Sequence, residues 1–328
     1  MHMKPTAKQV AHAAGVSLSA VSRALTPGAS IEADKKRRVL KAAAELGYTN
    51  PARRTAAALS AGTVTLVAGD LLNPFYPMVL DRLAQQLQTT GQRLLVHALP
   101  GRSDVDSAIP RILAARPKAI IATSVRLSSE MVDACYQQGI HVVLLNRIQR
   151  DARADAVTCD NYAGGHYVAR YLLSKGRRRI GFIGGITDTS THEERARGFR
   201  DALGESGHGV FREARGNFDY QVAFQAAEGL LARDPRPDAL FCCNDIMALA
   251  AIDAARMLGL SVPDDVAVAG FDDIPMANFN SYRLTTVRQP VARMVDEAIR
   301  LINAAGDGPR GERITCELPG RLIVRSSA

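Results

Sequence analysis

The chain has 328 residues, 47% of them hydrophobic, and a formal net charge of +8. That length calls for two or three domains rather than one core. No apolar run reaches the about 18 residues that cross a bilayer, which excludes a membrane-spanning helix. Cys135, Cys159, Cys242, Cys243 and Cys316 are odd in number and show no C-x-x-C spacing. They read as reduced, mostly buried thiols rather than a disulfide framework or a zinc site. The first residues, Met1 to Pro5, lead into polar helix formers and not into an apolar signal core, so a cytoplasmic location is expected. No metal and no cofactor is expected.

The charge is unevenly placed. Lys4, Lys8, Arg23, Lys35, Lys36, Arg37, Arg38, Lys41, Arg53 and Arg54 lie within residues 1–62, against only Glu32, Asp34 and Glu45. A basic head on a near-neutral body points to a polyanion partner for the head alone.

Thr6-Ala7-Lys8-Gln9 has the spacing of a capping box and predicts a first helix with Val10, Ala13 and Ala14 inward. Gly15 ends it, and Ser17 is placed to cap a second helix reaching about Leu25. Val21, Ala24 and Leu25 share that helix's inner face, leaving Leu18, Ser19, Ser22 and Arg23 outside. A third helix is predicted from about Ile31 to Leu46, with Val39, Leu40, Ala43 and Leu46 inward and Gly47 as its stop. Helix, tight turn, helix and a supporting helix make a helix-turn-helix module, whose second helix enters the major groove of DNA. Leu18, Ser19 and Arg23 then face base edges, arginine being suited to guanine. Thr6, Ser17, Ser22 and the Lys35–Arg38 run suit phosphates.

Ala11 to Leu25, A-x-x-A-G-V-S-x-x-x-V-S-R-x-L, resembles the signature of the lactose-repressor (LacI/GalR) family of transcriptional regulators, and the third helix through Gly47-Tyr48 is similar to theirs as well. Asn50-Pro51 reads as an N-cap with proline at the first helical position, and the alanine-rich stretch after it is too short to hold a helix alone. In the resembled family this segment is a hinge helix, two copies of which enter the minor groove and wedge a leucine into the central step, kinking the DNA. The family pattern N-x-x-A-R-x-L is not kept. Ala57 falls at the leucine position, Leu59 stands two residues on, and Arg53 and Arg54 come early. Either Leu59 serves in a shifted register or Ala57 holds the position and the DNA is kinked less. Ala20 replaces the threonine common in the recognition helix.

From Thr63 onward, short apolar runs alternate with amphipathic stretches. Strands are predicted at Thr63–Ala68, Leu94–Val96, Ala119–Ala122, Val142–Leu145, Arg179–Ile183, Ala239–Cys242 and Val266–Phe271. Helices are predicted at Met78–Gln88, Ile109–Ala115, Met131–Gln138, Ala163–Ser174, Glu194–Leu203, Gln221–Ala232 and Asp245–Leu258. This rhythm implies parallel sheets with crossover helices, in two α/β lobes. Landmarks such as Asp160-Asn161-Tyr162-Ala163-Gly164-Gly165, Arg195-Ala196-Arg197-Gly198-Phe199 and Gly270-Phe271-Asp272-Asp273 extend the resemblance over nearly the whole chain. It implies a periplasmic-binding-protein-like domain whose lobes are joined by three crossovers, here near Thr158–Cys159, Val287–Gln289 and Leu318–Gly320. The expected organisation is a DNA-binding domain at 1–49, a hinge at 50–62 and an effector-binding and dimerisation domain at 63–328. Lobe 1 takes about 63–157 and 288–318, and lobe 2 about 158–287 and 319–328.

Open α/β sheets bind ligands at the carboxyl ends of their strands. Asp272 and Asn244, each ending a strand, offer acceptors and donors to hydroxyls. Arg195 suits a hydroxyl or a carboxylate. Phe75 or Tyr76 suits stacking. Asp70, Leu71, Thr123, Ser124, Asn146 and Arg147 belong to the same mouth by position. Read without the resemblance, Phe75 is equally a core residue and Asp272-Asp273 a turn. The expected effector is a sugar, sugar acid, phosphosugar or related metabolite; Arg147 with Arg195 could make the cleft basic and points to an anionic member such as a sugar acid or phosphosugar, while 5% aromatics and no tryptophan argue against an extensive stacking platform. An enzyme is disfavoured because no P-loop and no G-x-S-x-G motif is present. A transport-type binding protein fits the large domain but not the basic head. The expected protein is a dimeric repressor of a near-palindromic operator. With no heptad tail after Ser326-Ser327-Ala328, no tail-made tetramer is expected.

Overall fold

The computed structural model describes residues 5–25, 29–48, 62–99, 105–149, 152, 154–304 and 313–328. The expected hinge residues Asn50, Arg53, Arg54, Ala57 and Leu59 lie outside them. The chain divides into two compact units, Met1–Gly62 and Thr63–Ala328.

The first unit holds α1 (Ala7–Ala14), α2 (Leu18–Ala24) and α3 (Ala33–Glu45). Thr6 caps α1 in a reciprocal box with Gln9, and Gly15 closes it at φ 60°, a left-handed backbone that suits glycine. Ser17 Oγ accepts from the Ala20 amide and starts α2. The core is small: Val10, Ala11, Ala14, Val21, Ala24, Val39, Ala42 and Ala43. Three sequence expectations fail here. Ala13, Leu40 and Leu46 are exposed, because helix phase turns Ala11 and Ala42 inward instead. Alanines let three short helices approach closely, so the interior has no room for the longer side chains.

The second unit opens with β1 (Thr63–Ala68), α4 (Phe75–Thr89), β2 (Arg93–Ala98), α5 (Val105–Ala114), β3 (Ala119–Thr123), α6 (Ser129–Gln137), β4 (His141–Leu145) and β5 (Asp155–Cys159). The chain continues as α7 (Asn161–Ser174), β6 (Ile180–Gly184), α8 (Ser190–Glu205), β7 (Arg212–Arg215), α9 (Tyr220–Leu231), β8 (Ala239–Cys242), α10 (Asp245–Met257), β9 (Ala267–Asp272) and β10 (Thr285–Arg288). It ends with α11 (Val291–Ala304), β11 (Thr315–Leu318) and β12 (Arg321–Ile323).

Two six-stranded sheets result, ordered β11-β5-β4-β3-β1-β2 and β12-β10-β9-β8-β6-β7. Pairing is parallel throughout except between β10 and β12. β1, β3, β4, β8 and β9 are buried along almost their whole length, as strands covered by helices on both faces must be. The chain passes from the first sheet to the second after β5, returns after β10, and passes again between β11 and β12. Helices α7 and α8 pack through glycines. A Cβ at Gly198 would stand 2.0 Å from the Tyr162 carbonyl oxygen, and one at Gly165 would stand 2.1 Å from that of Arg195.

The strand and helix readings of the sequence leave out β5, β10, β11 and β12, three of which lie at the expected crossovers, and also β7 and α11. β7 is a polar edge strand that alternates half-buried and exposed residues with none fully buried, so it carries no apolar run. Helix α11 is amphipathic, burying Met294, Val295, Ala298, Ile299, Leu301 and Ile302.

Candidate functional site

On the first unit, Leu18, Ser19, Ser22 and Arg23 stand on the exposed face of α2. Ser17 Oγ and Ser19 Oγ lie 2.9 Å apart, and Arg23 Nε donates to the Ser19 carbonyl at 3.4 Å, so arginine rests along its own helix. Arg38, half-exposed, has a structural role that the basic run does not reveal. Its guanidinium donates to Ala14 O at 3.0 Å and to Gly15 O at 2.9 Å, capping α1 from α3. Lys35 and Arg37 pair with Glu32 and Asp34. Ala20 is buried against the core.

In the second unit a cavity of about 2130 Å³ lies between the lobes. It sits at the carboxyl ends of strands in both sheets, where the strand order reverses. Asp70, Leu71, Phe75, Tyr76, Ser124, Asn146, Arg147, Arg195, Asn244 and Asp272 all line it. Thr123 does not: it is 2% exposed, and its Oγ1 reaches Val67 O at 3.5 Å. Strand pleating turns it away from the mouth that Ser124 faces.

Several strand-end residues hold left-handed backbone without being glycine: Ser124 (φ 52°), Asn146 (φ 73°), Asp272 (φ 123°) and Asp273 (φ 56°). Such conformations concentrate where a scaffold aims side chains at a site. Asp273 turns out of the cleft and pairs with Arg325 at 2.7 Å and Arg288 at 2.6 Å.

The floor is a buried polar cluster. Arg195, 2% exposed, donates from Nε to Asn161 Oδ1 (2.8 Å) and from Nη1 to Cys243 O (2.7 Å), with Nη2 3.3 Å from Asp272 Oδ1. Its guanidinium lies 3.7 Å from the centre of the Phe271 ring. Two nitrogens of the fork are thus spent on protein oxygens, and the expectation of bidentate ligand binding by Arg195 is corrected to a single free edge beside Asp272. Gln289 Nε2 also donates to Asp272 Oδ1, at 2.7 Å.

Asn244 caps α10 through Oδ1, which accepts from the Met247 amide. Asp245 turns inward, its oxygens taking the Thr286 hydroxyl and the Ile274 amide. Burial pushes the Asp245 and Asp272 carboxyls above the usual range, Asp245 further because Asp272 stands near it.

Among the described residues, three cavity-lining side chains carry a buried polar atom without a hydrogen-bond partner, Asn146 Oδ1, Arg147 Nε and Asn244 Nδ2, and Gln289, whose amide meets Asp272 in the cavity floor, carries a fourth, Oε1. Buried polar atoms are normally paired, and unpaired ones gathered at one cleft point to a ligand that pairs them.

The walls do not make a basic cleft. Asp70, Asp160, Asp188, Glu193, Glu194, Asp219, Asp272 and Glu317 line the cavity beside Arg126, Arg147, Arg195, Arg197 and Arg313. Arg195 is already neutralised by Asp272.

Phe75 belongs to the core and meets Tyr76 edge-on at 5.3 Å. Asn146 Nδ2 reaches Tyr76 Oη at 3.5 Å. Asp70 closes its own loop by accepting from the Leu72 and Asn73 amides. A direct contact crosses between the lobes at the cleft: the Ile148 amide donates to Ser190 Oγ at 2.9 Å. The sequence reading misses Phe218, which lines the lobe 2 wall against Gly185, because it follows the unread strand β7. It also misses Gln289, which no motif marks.

A helix-turn-helix unit joined to a two-lobed ligand-cleft domain defines a DNA-binding transcriptional regulator. A family profile described as bacterial regulatory proteins, lacI family, matches residues 6–50, and one described as a periplasmic binding protein-like domain matches residues 169–328. The HTH-type transcriptional regulator DegA of Bacillus subtilis is 31% identical over 333 residues, covering 99% of this chain and 98% of its own. The solved complex of the transcriptional regulator CelR with cellobiose is similar at TM-score 0.74 and 28% identity, covering 99% of this chain and all of that one. The Lac repressor dimer bound to operator and the anti-inducer ONPF shares the fold at TM-score 0.72 and 22% identity, over 99% of both chains. The chain belongs to the LacI family of bacterial regulatory proteins.

Proposed function

We propose that this protein is a cytoplasmic, homodimeric repressor, without catalytic activity, whose operator affinity is set by a small molecule held between the lobes of residues 63–328. The unpartnered buried atoms Asn146 Oδ1, Asn244 Nδ2 and Gln289 Oε1 carry the reading, since they are acceptors and donors matched to hydroxyl groups. The acid-bearing walls and the neutralised Arg195 favour a neutral sugar or polyol over the sugar acids and phosphosugars that Arg147 alone indicates. CelR, similar along the whole chain, is solved with a neutral disaccharide. Among the described residues, no helix is long and apolar enough to cross a membrane.

In this reading Leu18, Ser19 and Arg23 read bases, Thr6, Ser17 and Ser22 hold phosphates, and Asn50, Arg53, Arg54 and either Ala57 or Leu59 serve the hinge. Two heads meet a two-fold site, and the effector shifts the population of lobe arrangements that present them.

Thermal unfolding of the full-length protein against neutral sugars, sugar acids, phosphosugars and nucleobases tests the assignment. A ligand at about 100 times its Kd adds roughly 2.7 kcal/mol, a rise of roughly 5–10 °C for a domain of this size. The expected hit is a neutral sugar. A hit confined to anionic ligands overturns the charge argument, and turnover of a bound ligand overturns the non-catalytic reading.

A further inference from the structure

The buried hydrogen bonds of the cleft form a continuous line that leaves one lobe, passes through the first crossover and ends at the second. It starts at Asn146 on the lobe 1 wall, whose carbonyl is 3.2 Å from Thr158 Oγ1. Thr158 Oγ1 accepts from Asn161 Nδ2 at 3.1 Å, and the same amide nitrogen donates to Cys159 O at 2.9 Å. Asn161 Oδ1 accepts from Arg195 Nε at 2.8 Å. Arg195 then meets Asp272, and Asp272 takes Gln289 Nε2 at 2.7 Å. All six residues are at most 5% exposed.

Both terminal residues carry an unpartnered atom, Asn146 Oδ1 and Gln289 Oε1. The line therefore ends on groups with unused bonding capacity, while Thr158 and Asn161 in its middle are committed and Arg195 keeps one edge beside Asp272. Thr158 and Asn161 flank the point where the chain leaves the first sheet, and Gln289 follows β10, where it returns. Asn161 does not line the large cavity.

We infer that Asn161 is a positioning residue that couples the lobes: it carries the bonding state of the lobe 2 floor, Arg195 and Asp272, to the first crossover and so to Asn146 on the opposite wall. The physical ground is that Thr158, Asn161 and Gln289 are buried behind the cavity that Asn146, Arg195 and Asp272 border, so a bond gained or lost along this stretch must be made good by a neighbour rather than by water. Asn161 suits the role because its amide spends its donors on the crossover and its acceptor on Arg195. A rigid line of this kind allows few intermediate arrangements, which is what a two-state response needs. The inference rests on the reading of the cleft as an effector site.

Residue-resolved hydrogen exchange of the full-length protein, with no effector added, tests it. Gln289→Leu cuts the line at its lobe 2 end. The expected result is faster exchange, by about tenfold, at the Asn146 amide in lobe 1, with the amides of Val64–Ala68 unchanged. Thr158→Val should do the reverse, raising exchange across Asp272–Ile274, and the double variant should exchange no faster than the single ones at either end. Asn161→Ala should release both ends together. If Asn161→Ala does not fold, the two end variants carry the test alone. Faster exchange confined to the mutated end overturns the inference, as does a uniform rise through both lobes. Because no effector is present, this result and that of the ligand panel stand or fall separately.

Discussion

Arg195 and Asp272 form a buried ion pair in which the guanidinium is sandwiched by geometry rather than by charge alone: Nη2 is 3.3 Å from Asp272 Oδ1, and the Phe271 ring centre lies 3.7 Å below. Both side chains are at most 5% exposed. A pair so placed adds little net stability compared with apolar packing, but removing one partner leaves the other charged and dry.

Arg195→Met should therefore cost about 3–5 kcal/mol, because it strands the Asp272 carboxylate and unpairs Asn161 Oδ1 and Cys243 O. Adding Asp272→Asn should return part of that loss. Thermal unfolding of the two variants checks it; a double variant less stable than Arg195→Met would show that the charge is not the source.

Asp245 gives a pH dependence. Its folded pKa is raised by burial first and by nearby Asp272 second. A carboxyl raised on folding stabilises while protonated, so its contribution is full below the unfolded value and is lost as pH climbs through the folded one. The parent protein should lose stability toward alkaline pH with a slope of at most about 1.4 kcal/mol per unit from this group. Asp245→Asn keeps the shape and should flatten that slope in unfolding measured from pH 5 to 9.

Gly198→Ala brings a Cβ within 2.0 Å of the Tyr162 carbonyl, a backbone atom that no rotamer change can move. Helices α7 and α8 must separate, at about 1–3 kcal/mol. Gly204→Ala, on the same helix with open space beside it, should be neutral or stabilising, and comparing the two melting temperatures isolates the packing effect.

Arg38→Ala removes the charged cap on the Ala14 and Gly15 carbonyls and should destabilise the headpiece by about 1–3 kcal/mol, with the transition of the larger unit unmoved. Arg23→Ala should leave folding intact but relax discrimination at one operator base pair by about 1–3 kcal/mol, read by selection from a random DNA library. Equal loss across all sequences would make Arg23 a phosphate contact.

Most of the strands legible in the sequence are buried along their length, the edge strand read at Leu94–Val96 being the exception. Val142–Leu145 and Ala239–Cys242 are unbroken apolar runs because the fold leaves them no solvent face. Arg212–Arg215 alternates charge with partial burial at a sheet edge and resembles a loop. The cleft residues at strand ends were reachable through position. Their chemistry was not, since the commitment of Arg195 depends on Asn161, Cys243 and Asp272, which only the tertiary fold assembles. The capping role of Arg38 was hidden for the same reason: a basic run gives no sign that one member holds the end of a helix 24 residues away. Helix α11 was open to a reading of its spacing, with buried residues recurring every three or four positions from Met294 to Ile302.

The left-handed backbones at Ser124, Asn146 and Asp272 limit how this cleft can diversify. A branched or bulky side chain at those positions meets the backbone penalty before it meets a ligand, so the substitutions open to them are few: glycine, asparagine, aspartate and small residues such as the serine already at 124. New specificities must then be drawn from neighbours whose backbone tolerates any residue. Arg147 and Leu71, absent from the left-handed set, are the positions where a descendant of this protein would learn a different molecule.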